Sequence, residues 1–131
     1  MAEHPDVALV RRGYAAFSTG DIATLSELIA DDARQFQPGS SSMSGEYKGR
    51  DAILAFYGRL ASETNGTFRV ELEHVYTDGQ GRVVACSRNT AQRGERQLNS
   101  GAALVFTIKD GKAQDLHGVE EDLDEWDNFW S

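Results

Sequence analysis

The first half of the chain predicts three helices, because apolar residues recur there every three or four positions. The first helix is expected to begin at Pro5 and end at Thr19, the second to follow Asp21, and the third to cover about 51–62. The residues expected on the buried sides are Val7, Val10, Tyr14 and Phe17, then Ile22, Leu25, Leu28 and Ile29, and finally Ile53, Leu54, Tyr57 and Leu60.

The segment between the second and third helices predicts a turn, a short strand and a loop. Asp31 and Asp32 are expected to turn the chain, and residues 33–37 to form a brief strand. Pro38, Gly39 and the serines at 40–42 are typical of a mobile loop, which could serve as a lid over a site.

The second half predicts strands, because the apolar period changes to two at Thr67. Phe68, Val70 and Leu72 alternate with charged residues, as in a half-buried strand. Three further strands are expected at 82–92, 97–108 and 112–119, with turns at 78–81, 93–95 and 109–111.

Three helices followed by a meander of strands predict an α+β fold, in which the helices cover one face of a curved antiparallel sheet. A cleft between such a sheet and its helices is a usual place for a ligand. The length of 131 residues is that of a single domain, expected to span 1–131.

The charge balance narrows the classes of partner. With 13 basic and 21 acidic residues, the chain carries a net charge of −8, which disfavours binding to nucleic acid or to an anionic membrane. The acids are concentrated at the end, since residues 113–131 contain seven of them and no Lys or Arg. No apolar run is long enough to cross a bilayer, no secretion signal is seen, and Cys86 is the only cysteine, so we expect a cytoplasmic protein.

Several motifs together resemble the nuclear transport factor 2-like superfamily, and in particular its SnoaL-like branch. They are Tyr14-Ala15-Ala16-Phe17, Gly20-Asp21, Leu28-Ile29-Ala30-Asp31-Asp32-Ala33, Pro38-Gly39, Gly49-Arg50-Asp51, Val105-Phe106, Asp110-Gly111-Lys112 and Phe129-Trp130. The resemblance implies a cystatin-like roll, a cone of three helices and a curved sheet of up to six strands, and a homodimer. The superfamily includes ketosteroid isomerases, polyketide cyclases, epoxide hydrolases and non-catalytic binding domains, so it implies a fold more specifically than a function.

The reactive groups that the resemblance implies are mostly replaced in this chain. The carboxylate by which ketosteroid isomerases move a proton matches Gln37, and a primary amide cannot do this near neutral pH. The helical phenol of those enzymes matches Gly13, one residue before Tyr14, and their strand acid falls near Leu104. Ketosteroid isomerisation itself is therefore not expected. The Arg between two Asp of the epoxide hydrolases is also incomplete, because the strand neighbours of Arg88 are Cys86 and Thr90.

Asp115 and His117 are the best acid/base pair in chemical type, since they lie two apart on one strand face and a carboxylate can orient an imidazole. In the alternative interpretation both point outward, and Leu116 and Gly118 line the cleft. Predicted substrate-binding residues are Tyr14, Phe17, Gln35, Gln37, Tyr57, Arg88, Leu104 and Trp126. Arg88 could instead pair with Glu71 or Glu73, and the two glutamines could lie on an exposed edge. No spacing typical of metal ligands or of a phosphate loop is seen, so no metal or cofactor is expected.

Two functions remain open. The first is an isomerase or cyclase that acts on a hydrophobic, polyketide-like or polycyclic small molecule by hydrogen bonding and acid/base catalysis. The second is a non-catalytic homodimer that binds a small molecule. The acidic ending at 120–127 could be a recognition tail, but its aromatic residues favour a segment that packs on the cone.

Overall fold

A computed structural model describes residues 3–131 as four helices and six strands. They are α1 (Pro5–Thr19), α2 (Ile22–Leu28), β1 (Ile29–Gln37), β2 (Gly45–Lys48), α3 (Arg50–Ser62), β3 (Arg69–Thr77), β4 (Arg82–Arg93), β5 (Arg96–Lys109), β6 (Lys112–Glu120) and α4 (Leu123–Trp130). The strands form one sheet in the order β2-β1-β6-β5-β4-β3. The predicted α+β class is confirmed, with one difference: β1 runs parallel to β6, while the other neighbours are antiparallel.

Helices α1, α2 and α3 pack on one face of the sheet, which we call the inner face. The spacing of their apolar residues places Val10, Leu25 and Ile53 against Val83 and Phe106 of the sheet. The ends of the helices are set by local chemistry, since Gly20 terminates α1 in the left-handed conformation and the Asp21 carboxylate accepts from the Thr24 N–H. On the opposite face of β1, β6, β5, β4 and β3, which we call the outer face, no helix of residues 3–131 is packed.

The beginning of the sheet differs from the prediction. Ile29 was expected on the second helix, and Asp31 and Asp32 in a turn, but all three belong to β1. Both Asp side chains are exposed, so the strand continues through them without burying a charge. The predicted burial of Ile22 is also wrong, because it is 51% exposed at the start of α2.

The serine-rich loop is anchored, in contrast to the predicted mobile lid. Met43 within it is fully buried, and its carbonyl accepts a hydrogen bond from the Tyr47 hydroxyl at 2.7 Å. Ser40 donates to the Asp127 carboxylate of α4 through its backbone N–H and its hydroxyl, at 3.1 Å each. The loop and α4 therefore hold each other in place.

The acidic ending forms α4, a helix that the sequence analysis did not predict. Asp122 caps it by accepting from the Glu125 N–H. Trp126, Phe129 and Trp130 follow at helical spacing, and each is 2% exposed. The segment therefore packs on the cone, as the structural interpretation of this ending proposed. No helix among residues 3–131 is long and apolar enough to cross a membrane.

Candidate functional site

A cavity of about 130 Å³ lies between the inner face and the helices. Most of its wall is aliphatic or aromatic. Seven aromatic residues contribute to it: Tyr14, Phe17, Phe56, Tyr57, Phe68, Phe106 and Trp126. A wall of this kind favours an apolar ligand, with specificity supplied by a few polar groups.

Seven of the ten predicted site residues line this cavity. They are Tyr14, Phe17, Gln35, Gln37, Tyr57, Leu104 and Trp126. The two glutamines alternate with exposed Arg34 and Phe36 along β1, and each is no more than 6% exposed. They therefore face the cavity rather than an exposed edge, although a role in ligand binding stays a prediction.

Asp115 and His117 lie on the outer face, away from the cavity. An Asp115 carboxylate oxygen is 3.4 Å from an Arg34 guanidinium nitrogen, and the His117 ring stacks on Phe36 with centroids 4.8 Å apart. Leu116 and Gly118 line the cavity instead. The predicted catalytic pair is therefore corrected, because a group on the far side of the sheet cannot touch a ligand in the cavity.

Arg88 also lies on the outer face. Its guanidinium donates to Asn99 Oδ1 at 3.1 Å and lies 3.5 Å from a carboxylate oxygen of Glu121. Neither Glu71 nor Glu73, the partners considered from sequence, makes this pair. The neighbours of Arg88 on β4, Ser87 and Asn89, occupy the cavity wall, where the Ser87 hydroxyl donates to Asn89 Oδ1 at 2.9 Å.

Glu120, at the end of β6, is the carboxylate that does reach the cavity. It continues the inward alternation of Leu116 and Gly118, and its Oε2 accepts a hydrogen bond of 3.0 Å from Gln37 Nε2. Burial raises the pKa of Glu120 to about 7; the Gln37 hydrogen bond opposes this rise and the charge of Asp127 adds to it. Glu120 was not predicted as a site residue, because in the sequence it belongs to the acidic ending. The signal that could have found it is the alternation along the last strand.

Two phenols supply further polar groups. The Tyr57 hydroxyl donates to Gln35 Oε1 at 2.5 Å, while the Tyr14 hydroxyl has no hydrogen-bond partner among residues 3–131. Burial raises the pKa of both phenols far above the ordinary value, so both remain neutral donors at physiological pH. Tyr14 is therefore free to donate to a ligand oxygen.

The described part of the cavity wall thus provides one titratable carboxyl group, that of Glu120, and several neutral hydrogen-bonding groups. Among the described lining residues there is no Lys, Arg or His. Within residues 3–131, no three His, Cys, Asp or Glu side chains are grouped so that they could hold a metal ion. The arrangement can move one proton and can bind a polar atom of a largely apolar ligand.

Known proteins share this architecture along the whole chain. The uncharacterized protein Rv0034 of Mycobacterium tuberculosis is 34% identical over 131 residues, with complete coverage of both chains. The structure of Bal32a, from a soil-derived mobile gene cassette, superposes with a TM-score of 0.96 at 45% identity, covering 97% of each chain. A protein of unknown function with a cystatin-like fold from Xanthomonas campestris superposes with a TM-score of 0.89 at 25% identity, covering 96% of this chain and 98% of its own.

A more distant structure has a stated activity class. IdmH of Streptomyces antibioticus, a candidate polyketide cyclase, superposes with a TM-score of 0.75 over 90% of this chain and 93% of its own. At 17% identity this likeness concerns the fold alone. The family itself is shown by residues 10–116, which match the SnoaL-like domain, and the chain therefore belongs to the SnoaL-like family.

Proposed function

We propose that this protein is an isomerase or cyclase that transfers a proton on a small hydrophobic carbonyl compound, with Glu120 as the acid/base. The observation that carries the proposal is the position of Glu120 in an apolar cavity with a pKa of about 7. At that pKa the carboxyl group is partly ionised at neutral pH, so it can both accept and return a proton.

Gln37 and Tyr14 have supporting roles. The Gln37 amide holds Glu120 Oε2, which leaves Oε1 without a hydrogen-bond partner among residues 3–131 and open to the substrate. The neutral Tyr14 phenol can donate to a carbonyl oxygen and stabilise the negative charge that develops there on removal of an α-proton. Both groups act without any cofactor.

The cavity also constrains the substrate. A volume of about 130 Å³ is close to the ~150 Å³ of an engineered cavity that binds benzene, so the cavity holds about one ring. A polycyclic substrate, as expected from sequence, would need to extend through the cavity mouth. The candidate cyclase activity of IdmH is in keeping with an aromatic or polyketide-like substrate.

Deuterium exchange into phenylacetone, a ketone with one ring, tests the proposal. We expect the wild-type protein to accelerate exchange at the α-carbons, with a rate that rises as Glu120 ionises near pH 7. Glu120→Gln should slow exchange by roughly 100-fold, because general acid/base groups contribute at least this much. Glu121→Gln removes the same charge on the outer face and should leave the rate unchanged.

The alternative function is non-catalytic binding, which is favoured by the presence of a single titratable carboxylate in the cavity wall. It predicts that phenylacetone perturbs the NMR signals of the cavity residues while exchange stays at the buffer rate. This result would overturn the catalytic proposal.

We also propose that the outer face forms a homodimer. Phe36, His117, Val105, Val84 and Tyr76 lie in one register row across five strands. Phe36, Tyr76 and Val119 on this face are 37%, 58% and 45% exposed. A contiguous apolar face of this kind is typical of an interface with a second protein surface.

A further inference from the structure

The cavity combines a partly buried carboxylate with aromatic walls, and among its described lining residues it has no cation. Glu120 has no salt-bridge partner within 4.0 Å among residues 3–131, in contrast to Glu121, whose carboxylate lies 3.5 Å from Arg88. A carboxylate removed from water without a counter-ion is costly to ionise. A ligand that brings its own positive charge would offset this cost.

The surroundings of Glu120 add to the negative potential. Asp127 of α4 acts on Glu120 through space, and the group that contacts it directly is the neutral Gln37 amide of β1. Tyr14 and Tyr57, the other titratable groups of the wall, are neutral. Aromatic rings carry negative charge on their faces and attract cations, the more so when water is excluded. An anionic ligand would be repelled by the ionised Glu120 carboxylate and by Asp127.

We infer that the cavity also binds a hydrophobic amine, held as its ammonium ion by Glu120 in place of the carbonyl substrate, with its apolar body among the aromatic residues. The inference rests on the proposed use of the cavity as the site and names a second class of molecule that enters it. The ammonium group forms a hydrogen-bonded ion pair with Glu120 Oε1, the oxygen that Gln37 does not occupy.

Calorimetric titration with three probes of one ring and similar size tests this inference. Benzylammonium is positive, benzyl alcohol is neutral and benzoate is negative. At about pH 8, above the pKa of about 7, we expect benzylammonium to bind about tenfold more tightly than benzyl alcohol, and benzoate not to bind. Glu120→Gln should abolish the preference for the ammonium ion while benzyl alcohol still binds. Glu121→Gln should retain the preference, since it removes a charge outside the cavity.

A second measurement needs no variant. At about pH 5 Glu120 is protonated, so the wild-type preference for benzylammonium should fall to the level of the Glu120→Gln protein. Equal binding of benzylammonium and benzyl alcohol at about pH 8, or a preference that survives Glu120→Gln, overturns the inference.

Deuterium exchange on the same samples separates this outcome from failure of the proposed function. Exchange that depends on Glu120 without an ammonium preference refutes the amine and leaves the catalytic proposal standing. An ammonium preference without exchange supports the amine and refutes the catalytic proposal.

Discussion

Gln37 and Glu120 face the same cavity from neighbouring strands and are joined by a hydrogen bond of 3.0 Å. The resemblance to ketosteroid isomerases implies a carboxylate at the position of Gln37, and here that position holds an amide. The carboxylate stands instead on β6, where the amide fixes one of its oxygens. The chain therefore keeps a carboxyl group at this end of the cavity, although it comes from a different strand.

At the scale of this residue, Glu120→Gln is predicted to change how stability depends on pH. Because the folded pKa of about 7 lies above the ordinary value of 4.5, ionisation of Glu120 costs stability as the pH rises from about 4.5 to 7. Relative to Glu120→Gln, the wild-type free energy of unfolding should fall by about 2 kcal/mol across this window, less than the full shift implies because the side chain is partly exposed.

Urea denaturation of both proteins at a series of pH values measures this difference, and the other titrating groups cancel in it. If the free energies of unfolding of the two proteins change in parallel with pH, Glu120 titrates as an ordinary surface carboxyl group.

Which residues face the cavity was only partly predictable from sequence. Tyr14 and Tyr57 were proposed because they lie on otherwise apolar helix faces, and Gln35 and Gln37 because they share one face of a strand. Alternation shows which residues share a face, but not which face is inward, so Asp115 and His117 could not be assigned to a side.

At the scale of elements, β6 contains a bulge that determines which of its side chains face the cavity. Ala113 pairs with Ile108, and Asp115 pairs with Thr107, so Gln114 is an extra residue and the alternation is reset after it. Ala113 and Leu116 are consequently both inward, and Leu116, Gly118 and Glu120 follow on the same side. A bulge depends on pairing with distant strands and has no reliable local signature.

The helix α4 and the serine-rich loop form a second unit whose stability depends on packing. Met43 of the loop is packed in one cluster with Phe56 of α3 and Trp126 of α4. The helix α4 was not predicted, because acidic residues mask its apolar stripe. The loop was predicted, but its Gly and Ser residues conceal its one buried anchor. The three N-terminal helices and the strands β3, β4, β5 and β6 were predictable, since each has a sustained period.

Met43→Ala is predicted to destabilise the protein by about 3 kcal/mol, because a fully buried side chain is truncated in a packed cluster. Thermal or urea unfolding followed by tryptophan fluorescence measures the loss. Exposed Ser42 provides the matched control, and Ser42→Ala should change stability by no more than about 0.5 kcal/mol. A loss as small as that of the control would indicate that the loop is not anchored through Met43.

At the scale of the whole molecule, the two faces of the sheet differ in what they present. The inner face encloses the cavity, while the outer face presents an apolar row flanked by the pairs Arg34–Asp115 and Arg88–Glu121. Much of the excess negative charge lies on α4 and the end of β6, outside the cavity wall, and Glu120 is the exception that reaches it. The location of the protein in the cell and its organisation as one domain stay predictions.

Tyr76→Glu is predicted to convert the proposed homodimer into a monomer, because it places a charge at the β3 end of the apolar row that forms the interface. Sedimentation equilibrium measures the mass directly. Ile22→Glu is the control, since Ile22 is 51% exposed on α2, away from the outer face. A wild-type protein that is monomeric at every concentration, or a Tyr76→Glu protein that remains a dimer, would contradict the proposed interface.

The central claim is that Glu120 is an acid/base poised near neutral pH inside the cavity. Carboxyl-carbon NMR titration of the ¹³C-labelled protein tests it most directly, with Glu120→Gln used to assign the signal. We expect one glutamate signal that is missing from the variant and titrates with a midpoint near 7. A midpoint near 4.5, the ordinary value, would show that the carboxyl group is fully ionised and solvated at neutral pH, and would contradict the account.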